Sequence, residues 1–283
     1  MMKRFITSIL VVTAFLSVGC RHKTESLETS AKTVPFTFSL KADSSYFVIP
    51  DIHMMGLENK YSVEWPDEGM LTSEAERELL TLLFDDSTAS SFDEAASRWV
   101  STNGYVESFG PEAGDMEAWQ VDSKPDVEDV YFCNDYVDSK IEENGNLLGF
   151  SVYQERYMGG AHGIHYFRYL TYDRNKERMI RLSDLVDTTD FGEVVVRAIE
   201  DLEINKPVRE CLLEEDLSPR YFFLPEDFYI DSTRSTITLV YQVYEIACYA
   251  CGTQEVVLPI FWLSKHRNLT PYAKEIFGEG CSL

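Results

Sequence analysis

The sequence predicts an α+β fold in which antiparallel sheet dominates and a few helices pack on one face. Three observations predict it. Short runs alternate apolar and polar residues, the periodicity of strands. Three capping-box sites each open a stretch with a helical apolar stripe. Asn144-Gly145 stands between two apolar runs and marks a hairpin, because both residues accept positive φ. Strand runs with segregated helices, rather than strictly alternating strand and helix, belong to the α+β class.

The elements follow in order. Val34–Leu40 alternates Phe36, Phe38 and Leu40 against Thr37 and Ser39, and Tyr46–Ile49 is a second strand candidate. Tyr61–Trp65 alternates again and ends at Pro66. Ser73 and Glu76 form a capping box ahead of Leu79, Leu80, Leu83 and Phe84. Ser91 and Glu94 form another, opening a helix through Trp99 and Val100 that stops at Asn103-Gly104. Residues 110–126 are rich in Gly, Pro, Asp and Glu and read as a loop. Val130–Val137 and Leu147–Tyr153 are the hairpin strands, followed by strands at His165–Tyr172 and Met179–Leu182. Asp190 and Glu193 open a helix that buries Val194, Val195, Ala198, Ile199 and Leu202. The last strands are Asp227–Ile230, Thr236–Tyr244 and Gln254–Leu263.

The N-terminus reads as an export signal. Lys3 and Arg4 precede an apolar run from Phe5 to Val18, shorter than the roughly 20 apolar residues a membrane span needs. The run ends at Gly19-Cys20 and turns polar at Arg21. A cysteine after a small residue at that point resembles the bacterial lipobox, which implies cleavage after residue 19 and a diacylglycerol on the Cys20 thiol. Acyl chains contribute about 0.8 kcal/mol per buried CH₂, so several would hold the protein to a bacterial membrane as a palmitate-type anchor. Residues 20–34 lack periodicity and read as a flexible tether. The expected location is the cell envelope, periplasmic or surface-exposed.

Formal charge is −23, and removal of Lys3 and Arg4 with residues 1–19 takes it to −25. That excludes nucleic acid as a partner, since phosphate is bound through Lys and Arg, and favours cationic partners. After Cys20 come Cys133, Cys211, Cys248, Cys251 and Cys281, an odd number. Cys248 and Cys251 have C-x-x-C spacing but lie between strand-like runs rather than at a helix N-terminus. A short disulfide across the turn is therefore expected, ahead of a redox or zinc site. The acidic loop Asp122, Asp126, Glu128, Asp129 lacks the spacing and central glycine of an EF-hand. No metal or cofactor is expected, and the chain has no P-loop, nucleophile elbow or dinucleotide fingerprint.

Tyr157-Met-Gly-Gly-Ala-His-Gly163 is the most distinctive segment. Gly159 and Gly160 permit a tight bend or close backbone approach, and His162 can hydrogen-bond across it. His165, three residues on, would point to the opposite face if both lay in one strand. Tyr157, Gly159, Gly160 and His162 are accordingly the candidate ligand-binding residues, with no catalytic residue assigned. Together with Ile180–Val186, Tyr241–Ala247 and Val256–Ile260, this segment resembles the paired domains of unknown function 3298 and 4163 of exported bacterial proteins. The resemblance spans roughly Phe36 to Leu263. It implies a 4163-like α+β region at 35–166 and a 3298-like α+β region at 167–265, packed as one unit, before a tail at 266–283. It also implies a non-catalytic extracellular module, as found beside cell-wall deacetylase domains and outside a lysozyme-sensing anti-sigma factor. Two features depart from the pattern: Cys248 and Cys251 stand where small residues and proline are usual, and only four residues precede the apolar run, too few for a sigma-binding segment. The expected function is a non-catalytic envelope module that binds a protein or a cell-wall glycan, a cationic lysozyme-like protein being the specific version of the former. The alternatives are an enzyme acting on peptidoglycan with His162 in its site, and a structural envelope protein without a ligand.

Overall fold

The Asn144-Gly145 turn sets the centre of the architecture. Gly145 takes φ +63°, and β4 (Tyr131–Asn144) folds back on β5 (Leu147–Tyr157) in unbroken antiparallel register from Asn144↔Leu147 to Asn134↔Tyr157. A computed structural model of the protein describes residues 35–49, 55–101, 119–122, 124, 131–157, 159–212, 217–266 and 268–278. The export segment, Cys20, the tether to residue 34, Asn103-Gly104, most of the acidic loop and Cys281 lie outside the described residues. On one side of the central hairpin come β6 (Ile164–Asp173) and β7 (Arg178–Ile180), and on the other β2 (Met55–Pro66), β1 (Phe38–Ile49) and β3 (Trp119–Val121). The sheet order is β3-β1-β2-β4-β5-β6-β7, with every pair antiparallel except β2 and β4. A parallel pair needs a long crossover. Here that crossover includes α1 (Ser73–Phe84) and α2 (Phe92–Ser101).

Those two helices cover one face of the sheet. Leu79, Leu80, Leu83 and Phe84 pack with Tyr61, Val63, Val137, Leu148, Phe150 and Val152. Tyr61 meets Phe84, Phe92 and Trp99 edge-on at 5.6, 5.8 and 6.3 Å. A second core forms around the small sheet β10-β9-β8, made of β8 (Asp227–Ile230), β9 (Thr236–Tyr241) and β10 (Gln254–Pro259). It is covered by α3 (Leu182–Leu185), α4 (Phe191–Asp201), α5 (Lys206–Cys211), α6 (Ile260–Lys265) and α7 (Pro271–Phe277). Buried Asn205 staples this layer: its amide donates to the carbonyls of Ala198 (2.9 Å) and Val257 (3.0 Å) and accepts from Val257 N–H (2.8 Å).

The α+β class with a large, mainly antiparallel sheet is as the sequence predicts, while several elements differ in extent. The first two strand candidates are one strand, because the polar stretch Lys41–Ser45 pairs continuously with Asn59–Val63. The N-cap of α1 is Thr72, whose side chain accepts from Ala75 N–H at 3.3 Å, and Ser73 is the first helical residue. Asp190 caps α4 from a left-handed conformation (φ +53°) with no side-chain hydrogen bond, so the anticipated Asp190–Glu193 box is absent there. The run Gln254–Leu263 turns helical at Ile260, since Ile260, Trp262 and Leu263 bury against the small-sheet core. The tail holds α7, started by Thr270 and Pro271 and buried through Ala273 and Ile276. The expected Cys248–Cys251 bridge gives way to a Cys211–Cys251 disulfide, because α5 brings Cys211 to a Cα–Cα distance of 6.0 Å from Cys251.

The two sheets meet along β6. Beyond its short pairing with β7, one side of β6 has no strand neighbour among the described residues, and side chains from the small sheet take that place. Gln242 accepts from Phe167 N–H at 3.1 Å and donates to Phe167 O at 2.7 Å. Asp227 accepts from Tyr169 N–H at 2.9 Å, from Gln242 at 3.0 Å and from Arg168 at 2.9 Å. The hairpin tips also interlock: Arg234 donates to Asn144 Oδ1 (3.0 Å) and Asn146 Oδ1 (3.1 Å), and Asn144 donates to Asp231 O (3.1 Å).

Two predictions follow from these joints. Gln242→Ala strands buried groups of Phe167 and Asp227 and should cost about 1–3 kcal/mol in urea denaturation; a change near zero would show that the clamp contributes nothing. At the β8–β9 turn, partial burial pushes the Asp231 carboxyl up, but hydrogen bonds from Thr233, Thr236 and Ser235 outweigh it and hold it at about 2. A depressed carboxylate stabilises above its unfolded value and loses that contribution as pH falls through the folded one. Asp231→Ala should therefore be less stable than wild type near neutrality, and the gap should close between about pH 4 and pH 2 in acid titrations followed by circular dichroism.

Candidate functional site

β5 ends at Tyr157, and the chain then turns sharply. Gly159 and Gly160 sit at φ +96° and +94°, which an L side chain adopts only under strain, and the Tyr157 hydroxyl donates to Gly160 O at 3.0 Å. At Gly163 the returning chain passes so close to β5 that a Cβ would lie 3.0 Å from Arg156 O. The bend presents His162 on the surface, its Nδ1 3.1 Å from Gly163 O. The His162 ring stacks on Tyr249 with centroids 3.8 Å apart and planes at 20°. The Tyr249 hydroxyl donates to Gly163 O at 2.9 Å, across 86 residues of sequence.

The four residues singled out in the sequence thus share one bend, and the structure adds Tyr249 to them. Tyr249 lies inside Cys248-Tyr-Ala-Cys251, a segment conspicuous in the sequence for its sulfur rather than its ring. His165 also approaches Tyr249, edge-on at 6.3 Å. The two histidines do not share a strand, because β6 begins at Ile164 and His162 precedes it.

From Tyr249 a band of rings crosses the sheet face opposite α1 and α2. Residues on that face pair directly across strands: Asp138↔Tyr153↔Phe167 and Tyr136↔Glu155↔His165. Tyr153 lies 5.2 Å from Phe167, 6.4 Å from His165 and 6.3 Å from Tyr136, and Tyr244 extends the band 5.6 Å beyond Tyr249. Carboxylates stand among the rings, Glu155 between Tyr136 and His165 and Asp138 beside Tyr153. The Tyr153 hydroxyl donates to Glu155 at 2.8 Å and that of Tyr136 to Asp138 at 3.4 Å. Burial, then the bond and charge of Glu155, push Tyr153 up to about 12, so it remains a hydrogen-bond donor at physiological pH. Phe167 is 36% and Tyr244 60% exposed. Tyr244 also adopts φ +69°, a strained conformation for a bulky residue, in a turn closed by Glu245 N–H to Gln242 O (3.1 Å) and Gln242 N–H to the Glu245 carboxylate (2.7 Å).

The helix-covered face carries a different feature, an open groove of about 1160 Å³ between α1, α2 and the strands. Ion pairs line it: Arg98–Asp86 (3.0 Å), Arg156–Asp135 (2.6 Å) and Arg181–Glu78 (2.6 Å). Burial raises the Asp135 carboxyl despite the opposing pull of Arg156. Gln154 and Trp99 contribute to the same wall, Gln154 donating to Leu82 O at 2.8 Å. Among the described residues no group of three or more His, Cys, Asp and Glu is placed to hold a metal ion.

If Tyr249 pins the bend, Tyr249→Leu removes both its stack and its hydrogen bond. The variant should lose about 1–2 kcal/mol of stability and exchange the Gly159–Gly163 amides faster with deuterium; unchanged protection would mean that the bend holds itself.

No curated protein matches the chain. Among solved structures, a DUF3298-family protein from Bacteroides fragilis is similar over 87% of this chain and 98% of its own, at 20% identity and a TM-score of 0.56. A DUF3298-family protein from Pseudomonas aeruginosa covers 85% of this chain and 97% of its own, at 15% identity and a TM-score of 0.49. At such identity the Bacteroides likeness speaks for the fold alone. The family described as "Protein of unknown function (DUF3298)" matches residues 188–260, so the chain carries a DUF3298 domain that contains Gln242, Tyr244 and Tyr249.

Proposed function

We propose that the protein is a lipid-anchored, non-catalytic binding module of the bacterial cell envelope, and that it receives a cationic protein of the lysozyme kind on the aromatic face of its large sheet. The observation that carries this reading is the band from Tyr136 to Tyr244, with Asp138 and Glu155 set among its rings. Lys and Arg side chains bind such a surface twice over, through the ring faces and through the carboxylates. The formal charge of −23 adds attraction at longer range. The anchor rests on the apolar run Phe5–Val18 and on Cys20. The resemblance to the outer part of a lysozyme-sensing protein points the same way. His162 serves here as part of the platform, stacked on Tyr249, rather than as a catalyst.

The test is biolayer interferometry of the full-length, detergent-solubilised protein against lysozyme. Binding should weaken as salt rises, and the pair Phe167→Ser with Tyr244→Ser should lower affinity about 10-fold or more, as for loss of interface anchors. No binding at low ionic strength, or an affinity indifferent to both substitutions, rejects the reading. Metabolic labelling with a fatty-acid analogue, abolished by Cys20→Ser, tests the anchor. A second ligand, a cell-wall glycan, is supported by the groove of alternating guanidinium and carboxylate groups beside Trp99. It predicts binding of soluble peptidoglycan fragments that Trp99→Ala removes and Phe167→Ser leaves intact.

A further inference from the structure

Three sulfur atoms converge beside Tyr249. Cys211, the last residue of α5, is disulfide-bonded to Cys251, 40 residues on. Cys248 is an exposed thiol, and its Sγ lies 3.8 Å from that of Cys251. The turn that joins them is rigidly built. Cys251 N–H donates to Cys248 O at 3.0 Å and Gly252 N–H to Tyr249 O at 2.9 Å, so the short helical turn Tyr249–Cys251 holds the two sulfurs near each other. A thiol beside a disulfide sulfur is the arrangement from which exchange proceeds, because the attacking thiolate has to reach one sulfur of the bond.

We propose that Cys248, Cys251 and Cys211 form a thiol–disulfide relay. The Cys248 thiol gives its proton to solvent, and its thiolate attacks Cys251 Sγ. The Cys248–Cys251 bond forms as the Cys211–Cys251 bond breaks, and the expelled Cys211 thiolate takes up a proton. One sulfur–sulfur bond replaces another, so the step consumes neither oxidant nor reductant.

The two states differ in what the turn is tied to. With Cys211–Cys251 formed, α5 and the turn are tethered across a long loop. With Cys248–Cys251 formed, the turn closes on itself and α5 loses that tether, keeping its packing through Val208 and the Arg209 hydrogen bonds. Tyr249 lies between the two exchanging cysteines, and its ring and hydroxyl are the contacts that hold His162 and Gly163. The relay therefore regulates the platform at the end of the aromatic band. This regulatory consequence rests on the binding reading above, whereas the exchange itself does not.

Differential alkylation of the full-length protein tests the exchange. Free thiols are blocked with a light maleimide at successive times, and the remaining sulfurs are reduced and tagged with a heavy one. Each cysteine is then located by peptide mass spectrometry. In wild type the light label should appear on Cys211 as it declines on Cys248, with both disulfide-linked peptides present. Cys248→Ser should stay locked as Cys211–Cys251, and Cys211→Ser in a glutathione redox buffer should form Cys248–Cys251. Absence of light label from Cys211 throughout the time course overturns the relay. So does a Cys211→Ser protein that keeps Cys248 and Cys251 as thiols in the buffer that preserves the wild-type bond. The two locked variants should differ severalfold in affinity for lysozyme. Equal affinities would overturn the regulatory consequence, and loss of lysozyme binding by every form, wild type included, would count against the binding reading while leaving the labelling result intact.

Discussion

The structure depends on how the open side of β6 is satisfied. A strand edge exposes backbone donors and acceptors, and burying them unpaired is costly. The protein closes this edge with side chains. Gln242, in the segment leaving β9, bonds both backbone groups of Phe167, and Asp227 at the start of β8 takes Tyr169 N–H. Both side chains are buried, and each completes the other through the amide–carboxylate bond between them. The small sheet is thereby fixed against the large one without continuing it. The Tyr241–Ala247 segment, distinctive in the sequence, supplies the clamp through Gln242, the turn-closing carboxylate through Glu245 and the displayed ring of Tyr244.

That joint decides how the face opposite the helices ends. The helices α1 and α2 occupy one face of the large sheet and leave the other to Tyr136, Tyr153, His165 and Phe167. Because the small sheet meets β6 by side chains, the turn that follows β9 brings Tyr244 and Tyr249 to the end of that face. The band therefore unites two parts of the chain. The strands before residue 188 supply its middle, and the DUF3298 domain supplies its end.

Charge is distributed differently on the two faces. In the groove beneath α1 and α2, guanidinium and carboxylate groups neutralise one another in pairs. On the aromatic face the carboxylates of Glu155 and Asp138 are held by tyrosine hydroxyls, which satisfy hydrogen bonds but leave the negative charge in place. A cationic surface is attracted to the second arrangement more than to the first, and that asymmetry is the physical basis of the proposed ligand.

Local signals in the sequence determined a good part of this protein. Period-two alternation and the Asn-Gly turn located the central hairpin, since both act within a few residues. The stripe Leu79, Leu80, Leu83, Phe84 located α1, and the paired glycines located the bend. Ends of elements were legible only to within a few residues. The reason is visible at Ile260, where burial against a distant core turns a strand-like apolar run into a helix, and at Lys41–Ser45, where pairing with β2 carries a polar stretch as strand. Tertiary structure alone decided the parallel pairing of β2 with β4, the partner of Cys251 and the place of Tyr249. Each of these joins residues far apart in the chain, and which distant groups meet is set by how the two cores pack rather than by any local pattern.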